Sequence, residues 1–365
     1  MHSTLKVLLN GRFLTRPVTG VDRVATELAM ALVAQLEKQQ ISVAVPAQPM
    51  WGEKRRPKVL LELNIAPTLR LRGYAWEQLA LSVAAPKSWL LSLCNLGPVL
   101  RSRQVIMIHD AQVFSQPESY SNLFRRVYHF LLPLVARRAR VVLTVSDYSR
   151  FELEKFGVVP PGKAVVIHNG VDHMGRILED PNALARFGLS KGEYFLAIGS
   201  LAAHKNLSML IGAAKRRENK SIPLIVAGGG NSEVFREAGL EGGEGIRFLG
   251  RVSDAELKAL YSGARALMFP SKTEGFGLPP LEAMYCGCPV VATTGGAVPE
   301  ICGDAAIYVS PSNSDDWINV MDDLVTNEDL CAALRRRGKV QAAKFTWANA
   351  AESLLEAVHA AQVYT

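Results

Sequence analysis

Two glutamates flank a glycine-rich turn in the stretch KTEGFGLPPLEAMYCGCPVV, residues 272–291. Glu274 and Glu282 are separated by seven residues, and Gly275 and Gly277 lie between them. The glycines let the backbone turn with its N–H groups exposed, and the Pro-Pro pair predicts a helix start with Glu282 in the first turn. Carboxylates accept hydrogen bonds from hydroxyls and bare amides bind anions, which suits a sugar on a diphosphate. Helix electrostatics would explain Glu282 alone, but not Glu274.

Two candidates in the first half of the chain follow strand-like segments, where open parallel sheets bind their ligands. Gly20 opens a long helical segment and could leave N–H groups aimed at an anion, although a plain turn glycine is the alternative. His109 follows an apolar run, and a histidine held by Asp110 for structural reasons is its alternative. A GxGxxG motif is absent, which argues against a standard dinucleotide site.

Three loops in the second half carry further candidates. Lys205 lies near a predicted helix N-terminus, where the dipole disfavours a cation unless a bound anion compensates it. Gly228 begins a run of three glycines, which permits close approach of a flat ligand. Arg251 and Val252 follow a strand and precede a predicted helix cap. A surface lysine and plain loops would explain the same residues.

The elements that position these residues alternate along the chain. Apolar, β-branched segments alternate with helical ones, which indicates parallel sheets covered by helices on both faces. Turn residues at 169–172 separate two such sets, so we predict two Rossmann-like domains, 1–172 and 173–345. We expect the last helix, about 346–365, to pack back on the first domain. The predicted strands are 6–10, 105–109, 141–146, 164–168, 194–200, 223–227, 245–249, 266–269, 289–293 and 306–309, and the predicted helices are 21–38, 120–139, 149–156, 206–217, 254–262, 281–286, 315–324 and 347–361.

Composition bounds the class of protein. The chain has 365 residues, 48% apolar and 21% charged, which fits a globular protein of two domains. No apolar stretch is long and uninterrupted enough for a signal peptide or a membrane span. The five cysteines include no CxxC pair, and Cys286 and Cys288 are expected on a buried helix rather than at a zinc site. We therefore expect reduced thiols and a cytoplasmic location.

Positive charge is concentrated in the first half of the chain. Residues 1–175 hold 22 Lys and Arg against 12 Asp and Glu, whereas the remainder holds 19 against 22. A solvated basic face is one explanation, but aromatic residues interleaved with the clusters suit an anionic membrane surface or a lipid diphosphate. No helix-turn-helix, RNA-recognition or zinc-finger pattern is present, so nucleic acid is not expected as a partner. The clusters are 54–56, 70–72, 101–103, 125–126 and 137–140, and the aromatic residues are Trp51, Tyr74, Trp76 and Trp89.

These motifs together resemble those of the retaining glycosyltransferases of family 4. The stretch E-GFGLPPL-E matches the E-x7-E signature of that family, and the other matching segments occur in the family's order over nearly the full length. The resemblance implies the GT-B fold, in which two Rossmann-like domains face each other across an interdomain cleft. It implies that the first domain, 1–172, faces the acceptor and that the second, 173–345, binds the nucleotide-sugar donor. The matching segments are TGVDR, IHD, TVSDYSR, VIHNGVD, AHKNL, FLGRVSD and GGAVPEICGDAA.

The resemblance also implies roles for individual residues. Glu274 would bind hydroxyls of the donor sugar, Glu282 would hold the ribose, and Lys205 would neutralise the diphosphate. His109 would contact the sugar near the reacting centre, and the Gly20 loop would approach the diphosphate. The loop of Arg251 and Val252 would meet the base, the amides of Gly275, Phe276, Gly277 and Leu278 would assist Glu274, and Ser200, His204 and Gly228 complete the donor-binding set.

One position departs from the family pattern. Many members carry an arginine immediately before the lysine and a further basic residue at the end of the preceding strand. This chain has His204 before Lys205, and residues 198–200 are Ile-Gly-Ser. The source of a second positive charge at the diphosphate is therefore left open.

The resemblance implies a metal-independent reaction with no cofactor. It is greatest to bacterial exopolysaccharide and O-antigen enzymes, which makes GDP-mannose the favoured donor and a UDP-sugar the alternative. The implied acceptor is an oligosaccharide or a polyprenyl-diphosphate-linked glycan at the inner face of the plasma membrane, where the basic first domain would bind peripherally. A nucleotide-sugar 2-epimerase and a non-catalytic sugar-nucleotide-binding protein are the alternatives from other classes.

Overall fold

The computed structural model describes residues 5–46, 57–228 and 243–363, and this part of the chain forms two compact units. The first unit contains the chain up to Gly170 together with the segment from Thr346 onward. The second unit is Val171–Phe345. The boundaries predicted from the sequence, after residues 172 and 345, lie two residues beyond the first observed boundary and at the second.

A parallel sheet of seven strands forms the centre of the first unit, in the order β3-β2-β1-β4-β5-β6-β7. Its inner strands are continuous apolar runs because helices cover both faces of the sheet. Val7 of β1 pairs with Ile41 on one side and with Trp89 on the other. The strands are β1 (Val7–Asn10), β2 (Ile41–Ala44), β3 (Asn64–Ile65), β4 (Trp89–Ser92), β5 (Gln104–Met107), β6 (Val141–Thr144) and β7 (Ala164–Val166).

The helices of the first unit include one from the C-terminal end of the chain. This last helix packs against α1, where Gln35 Nε2 donates to the Ala348 carbonyl oxygen at 2.9 Å. Thr19 and Asp22 form a capping box that fixes the start of α1. The helices are α1 (Gly20–Gln35), α2 (Lys58–Leu61), α3 (Gly73–Ala75), α4 (Leu81–Val83), α5 (Gln112–Ser115), α6 (Asn122–Arg138), α7 (Asp147–Lys155) and, at the C-terminal end, Trp347–Val363, which is α16 in chain order; a π-helical turn, Trp76–Ala80, joins α3 to α4.

The second unit repeats this architecture with six parallel strands in the order β10-β9-β8-β11-β12-β13. Its core lies between the sheet and the flanking helices and includes Phe195, Met268 and Trp317. The strands are β8 (Phe195–Ile198), β9 (Leu224–Ala227), β10 (Ile246–Gly250), β11 (Ala266–Phe269), β12 (Val290–Thr293) and β13 (Ala306–Val309). The helices are α8 (His173–Arg176), α9 (Ala183–Arg186), α10 (Leu207–Arg216), α11 (Asp254–Gly263), α12 (Leu278–Tyr285), α13 (Val298–Cys302), α14 (Ser314–Thr326) and α15 (Glu328–Ala342).

Each sheet has one point where the strand order reverses. In the first sheet β1 lies between β2 and β4, and in the second sheet β8 lies between β9 and β11. Connections leave in opposite directions at such a point and open a crevice at the carboxyl ends of the strands, where ligands of this architecture bind. The loops after β1, β4, β8 and β11 are therefore the places to examine for a site.

Several elements differ from the sequence prediction. The strands Ile41–Ala44, Asn64–Ile65 and Trp89–Ser92 and the helix Glu328–Ala342 were not predicted, because short strands and a largely polar helix give weak periodic signals. Helix α12 begins at Leu278, so the two prolines occupy its second and third positions. Glu282 consequently lies in the second turn rather than the first. Cys286 and Cys288 follow this helix instead of lying on it.

The expected surface of interleaved aromatic and basic residues is only partly present. Trp76 and Trp89 are buried in the core of the first unit, because the first belongs to a packed turn and the second to a central strand. Arg101 is buried as well, and its guanidinium donates to main-chain carbonyls between Leu81 and Ser88. Trp51 and residues 54–56 lie outside the described residues. No described helix is long and apolar enough to span a bilayer.

Candidate active site

Lys205 and Glu274 meet at the reversal point of the second sheet. Lys205 ends a short 3-10 turn, Ala203–Lys205, that follows β8, and Glu274 lies in the loop after β11. The Lys205 ammonium donates to Glu274 Oε1 at 2.7 Å. Glu274 is buried, whereas the Lys205 side chain is 24% exposed. A cation therefore lies at the surface of the crevice with its charge balanced by a carboxylate.

The Glu274 loop is held by a second loop that follows β12. A Cβ atom at Gly295 would lie 1.9 Å from the Lys272 carbonyl oxygen, and one at Gly296 would lie 2.3 Å from the Glu274 amide nitrogen. Only glycine permits this close approach. The Ala297 amide also donates to the Glu274 carbonyl oxygen at 2.9 Å. The position of Glu274 thus depends on glycines about twenty residues away in sequence, which the site prediction omitted.

Asn206 and Lys272 tie the Lys205 turn to its neighbours. Asn206 adopts the left-handed conformation with φ 56°, and its side-chain amide donates to the carbonyls of Pro270 and Pro311 at 3.2 and 2.8 Å. The Lys272 amide donates to the His204 carbonyl oxygen at 2.8 Å. These bonds join the loops after β8, β11 and β13 and therefore fix the positions of these loops relative to one another.

Glu282 is the centre of a buried hydrogen-bonding group. His173 Nε2 lies 3.2 Å from Glu282 Oε1, and the Tyr261 hydroxyl donates to Oε2 at 3.1 Å. Burial beside this carboxylate raises the Tyr261 pKa well above its ordinary value, so the phenol remains a donor. Each carboxylate oxygen has one partner inside the unit and retains further lone pairs for a ligand. His173 and Tyr261 were not among the predicted site residues.

The amides predicted to assist Glu274 start helix α12. Gly277 caps this helix with φ 98°, a conformation that strongly favours glycine. Phe276 is buried, and its ring contacts Phe345 edge-on with centroids 6.0 Å apart. Gly275 is buried and Leu278 is half-buried. The Phe276 side chain therefore anchors the turn within the unit.

The remaining predicted donor-binding residues lie on the loops after β8, β9 and β10. Ser200 is exposed, and its hydroxyl accepts from the Ala202 amide at 3.4 Å, whereas His204 is buried. Gly228 has φ 98°, and a Cβ there would lie 2.9 Å from the Gly199 carbonyl oxygen. Arg251 is exposed, and Val252, next to it, is half-buried. The other two glycines of the 228–230 run lie outside the described residues.

Gly20 and His109 belong to the first unit. Gly20 is the first residue of α1, and a Cβ there would meet nothing within 4 Å, so packing does not require a glycine. His109 is buried, with Nε2 2.9 Å from the Leu93 carbonyl oxygen and its amide donating to Asn95 Oδ1 at 2.9 Å. Burial lowers the His109 pKa to about 4, so the imidazole is neutral near pH 7 and donates its Nε2–H to Leu93.

Comparison with known proteins identifies the family of the chain. A model of glycosyl transferases group 1 matches residues 180–341, and a model of Glycosyltransferase Family 4 matches residues 18–174. The chain is 28% identical to O-antigen chain mannosyltransferase B of Escherichia coli over 97% of this chain and 99% of that protein. It is 33% identical to O-antigen chain mannosyltransferase RfbU of Salmonella typhimurium over 70% of this chain and 71% of that protein.

Solved structures share the fold at low sequence identity. Anabaena Alr3699/HepE in complex with UDP and glucose is 19% identical with a TM-score of 0.74, and the match covers 98% of this chain and 100% of that one. WaaG, a glycosyltransferase involved in lipopolysaccharide biosynthesis, is 16% identical with a TM-score of 0.66 over 99% and 100% of the two chains. The two Rossmann-like units therefore have the GT-B fold of glycosyltransferases. The chain belongs to glycosyltransferase family 4.

Proposed function

We propose that this glycosyltransferase moves a hexose, with retention of configuration, from a nucleotide sugar to a growing bacterial glycan, and that the donor is GDP-mannose. The Lys205–Glu274 pair at the β8/β11 crevice is the observation that carries the proposal. It combines a cation for a diphosphate with a carboxylate for sugar hydroxyls, in a loop fixed by its neighbours.

Negative charge develops on the leaving group, the nucleoside diphosphate, during the reaction. When the bond from the anomeric carbon to the phosphate oxygen breaks, the electron pair stays on the diphosphate, and Lys205 stabilises it where it develops. The amides at the start of α12 and Glu274 hold the sugar hydroxyls, and Glu282 binds the ribose. The acceptor hydroxyl attacks from the face that the nucleotide leaves and gives its proton to the departing phosphate oxygen, so configuration is retained. We expect no metal requirement, and activity in excess EDTA tests this expectation.

The names of the two O-antigen relatives support mannose as the sugar and O-antigen assembly as the process. A UDP-sugar donor is the alternative, because Alr3699/HepE was crystallised with UDP and glucose. That structure is 19% identical to this chain and bears on the fold alone, so the relatives favour mannose.

A thermal-shift series tests the donor directly. GDP, UDP, ADP and their mannose and glucose conjugates are added at increasing concentration, and we expect GDP and GDP-mannose to raise Tm with the logarithm of concentration. A shift with UDP compounds alone would replace the proposed donor by the alternative. Release of a converted sugar without any acceptor would indicate epimerase chemistry, and the absence of every shift would contradict nucleotide-sugar binding.

Helix α6 supports a peripheral position at an anionic membrane. Leu123 and Phe130 are 74% and 68% exposed on this helix, and Arg126 and Arg137 are exposed beside them. The helix contains no acidic residue. Apolar side chains among arginines suit insertion at the boundary between lipid headgroups and acyl chains. We therefore propose that α6 holds the enzyme at the membrane that carries a lipid-linked acceptor.

Replacing Arg126 and Arg137 by glutamine should weaken binding to vesicles containing anionic lipid by roughly tenfold or more, because each basic residue near the surface contributes to attraction. The effect should shrink as salt rises. The control variant replaces Arg336 and Arg337, exposed on α15 of the second unit, and should bind normally. Equal loss in both variants would show that only total charge matters.

A further inference from the structure

The Glu282 carboxylate is bonded from the interior of the second unit by side chains of two other helices. His173 belongs to α8 and Tyr261 to α11, and each bonds one carboxylate oxygen, at 3.2 and 3.1 Å. His173 is 2% exposed and Tyr261 is fully buried, whereas the Glu282 side chain retains 10% exposure. The two partners therefore lie deeper than the carboxylate, which keeps part of its surface accessible.

The two bonds fix the orientation of the carboxylate group. Carboxylate oxygens accept and do not donate, so the bond from His173 requires the proton on Nε2. The last torsion of a glutamate side chain is broadly distributed, and a partner on each oxygen removes that freedom. A carboxylate has about four lone-pair sites. His173 and Tyr261 occupy one on each oxygen, so the remaining sites of Glu282 point in fixed directions.

Helix α8 has four residues, and its neighbours hold it in place. The ammonium group of Lys258, on α11, donates to the Met174 carbonyl oxygen at 2.7 Å. A Cβ at Gly175 would lie 2.5 Å from the hydroxyl of Tyr285, which ends α12. Because there is no side chain at Gly175, α8 comes close to α12. His173 is thus fixed against the two helices whose side chains it joins.

The segment that carries His173 is also tied to the other end of the second unit. Val171 is the first residue of this unit and Phe345 is the last. The Val171 amide donates to the Phe345 carbonyl oxygen at 3.0 Å, and the Met174 amide donates to the Val171 carbonyl oxygen at 3.0 Å. His173 therefore belongs to a hydrogen-bonded turn and not to a loose connection.

Burial by itself would explain a partner for Glu282, since a buried carboxylate without a hydrogen bond is costly. The arrangement goes beyond that need, because both oxygens are bonded on the buried side while the other side stays accessible. Glu274, in contrast, is bonded to the Lys205 ammonium. Two neighbouring hydroxyls, such as those of a ribose, suit the accessible side of Glu282, because hydroxyls donate and carboxylate oxygens accept in defined directions.

We propose that His173 and Tyr261 are positioning residues for ribose recognition, which orient the Glu282 carboxylate so that its remaining lone pairs accept from the ribose hydroxyls of the donor. The inference rests on the proposed function, in which Glu282 binds the ribose. It adds that α8 and α11 set the preference for a ribose with both hydroxyls. Loss of either bond leaves the carboxylate free to turn and weakens the bonds to the ribose, but not the contacts to the base and the diphosphate.

Isothermal titration calorimetry with GDP and with dideoxy-GDP, which lacks both ribose hydroxyls, tests this role on the full chain. The ratio of the two dissociation constants isolates the hydroxyls, because the base and the diphosphate are the same. The wild type should prefer GDP by about ten- to a hundredfold, the usual effect of hydrogen bonds to a charged group. His173→Leu and Tyr261→Phe should each reduce this preference by about threefold or more, through weaker binding of GDP. UDP and dideoxy-UDP form a parallel pair.

Met174→Ala is the matched control for His173→Leu. Met174 is the next residue of α8 and is equally buried, at 2% exposure. Its replacement disturbs the packing of α8 and should leave the preference for GDP over dideoxy-GDP unchanged. His173→Gln retains an N–H donor and should recover part of the preference that His173→Leu loses. That recovery separates orientation by a hydrogen bond from the filling of space.

An unchanged preference in both His173→Leu and Tyr261→Phe would overturn the inference and leave the proposed function standing. The same holds if Met174→Ala loses as much of the preference, because packing and not the two bonds would then set it. Equal binding of the ribose and dideoxy forms by the wild type would remove the ribose contact of Glu282 while nucleotide binding persists. If the wild type binds neither GDP nor UDP, the proposed function is contradicted and the inference falls with it.

Discussion

At the scale of single residues, the proposed role of Lys205 depends on its ion pair with Glu274. Its ammonium group lies 2.7 Å from a carboxylate of the same unit, so binding a diphosphate only requires the cation to share its charge with a second anion. Lys205→Ala should lower kcat by about a hundred- to a thousandfold, the usual effect of losing one preorganised contact to a developing negative charge.

The matched control for this variant is Lys272→Ala. Lys272 is exposed and lies two residues from Glu274, but no ion pair is described for it. The measurement is the transfer rate at saturating donor and acceptor. A normal rate in Lys205→Ala, or an equal loss in Lys272→Ala, would place the diphosphate elsewhere.

His109 gives a prediction for stability rather than for rate. Its pKa falls from the ordinary 6.5 to about 4 in the folded protein because of burial. The unfolded chain therefore binds the proton more readily, and stability is full above about pH 6.5 and declines as the pH falls toward 4. We expect this residue to reduce the free energy of unfolding by about 2 kcal/mol between pH 7 and pH 5.

Urea denaturation of the wild type and of His109→Gln at both pH values measures this contribution. Glutamine retains an amide donor for the Leu93 carbonyl but does not titrate, so the variant should lose less stability on acidification. His359→Gln, at an exposed position on α16, should behave as the wild type. Parallel pH profiles for His109→Gln and the wild type would refute the assignment.

At the scale of elements, the site depends on two loops packed against each other. The loop after β12 approaches the loop after β11 so closely that a methyl group at position 295 would overlap a main-chain carbonyl. Gly295→Ala should therefore cost about 1–3 kcal/mol or more of stability and should also weaken donor binding, because the displaced loop carries Glu274.

Gly212→Ala is the comparison for this variant. A Cβ at Gly212, on the exposed side of α10, would meet nothing within 4 Å. Alanine is the better helix former there, so stability should rise by up to about 1 kcal/mol with unchanged donor affinity. Unfolding by urea and nucleotide titration measure the two effects. A Gly295→Ala protein as stable as the wild type would mean that the loops separate without cost.

The positions of residues relative to strand and helix ends explain which candidate site residues were predicted from the sequence. Glu274, Lys205 and Gly277 were predicted because each lies directly beside a strand or helix end that local patterning locates. His173 and Tyr261 were missed because they meet Glu282 from 109 and 21 residues away, on helices with no local sign of a site. The available signal was His173, directly after the NGVD turn, but the sequence gives no indication that its partner is Glu282.

At the scale of the whole molecule, the C-terminal segment of the chain belongs to the first unit, which also contains the N-terminal part. Helix α16 buries Trp347 and Leu354 against the first unit although both follow the second unit in sequence. Leu354→Ala should lower the stability of the first unit by about 2–5 kcal/mol through loss of apolar burial and creation of a cavity. The second unit should retain its unfolding transition.

Val363→Ala, on the same helix at a position 82% exposed, is the control and should leave stability unchanged. Because the second unit buries Trp317, the measurement is made in a Trp317→Phe background. There tryptophan fluorescence during denaturation follows the first unit, which buries Trp76, Trp89 and Trp347, while nucleotide-dependent stabilisation follows the second. If Leu354→Ala destabilises only the second unit, the assignment of α16 to the first is wrong.

The sequence by itself determined the alternation of strands and helices, the class of fold and the loops that carry the E-x7-E glutamates and Lys205. These features are local, because they can be predicted from the spacing of apolar residues, the positions of glycine and proline and the order of residues. Tertiary structure alone decided that Trp76 and Trp89 are core residues, that Gly295 holds the Glu274 loop and that His173 and Tyr261 both bond Glu282. These depend on which strands become neighbours, and contacts between residues distant in the chain leave no periodic trace.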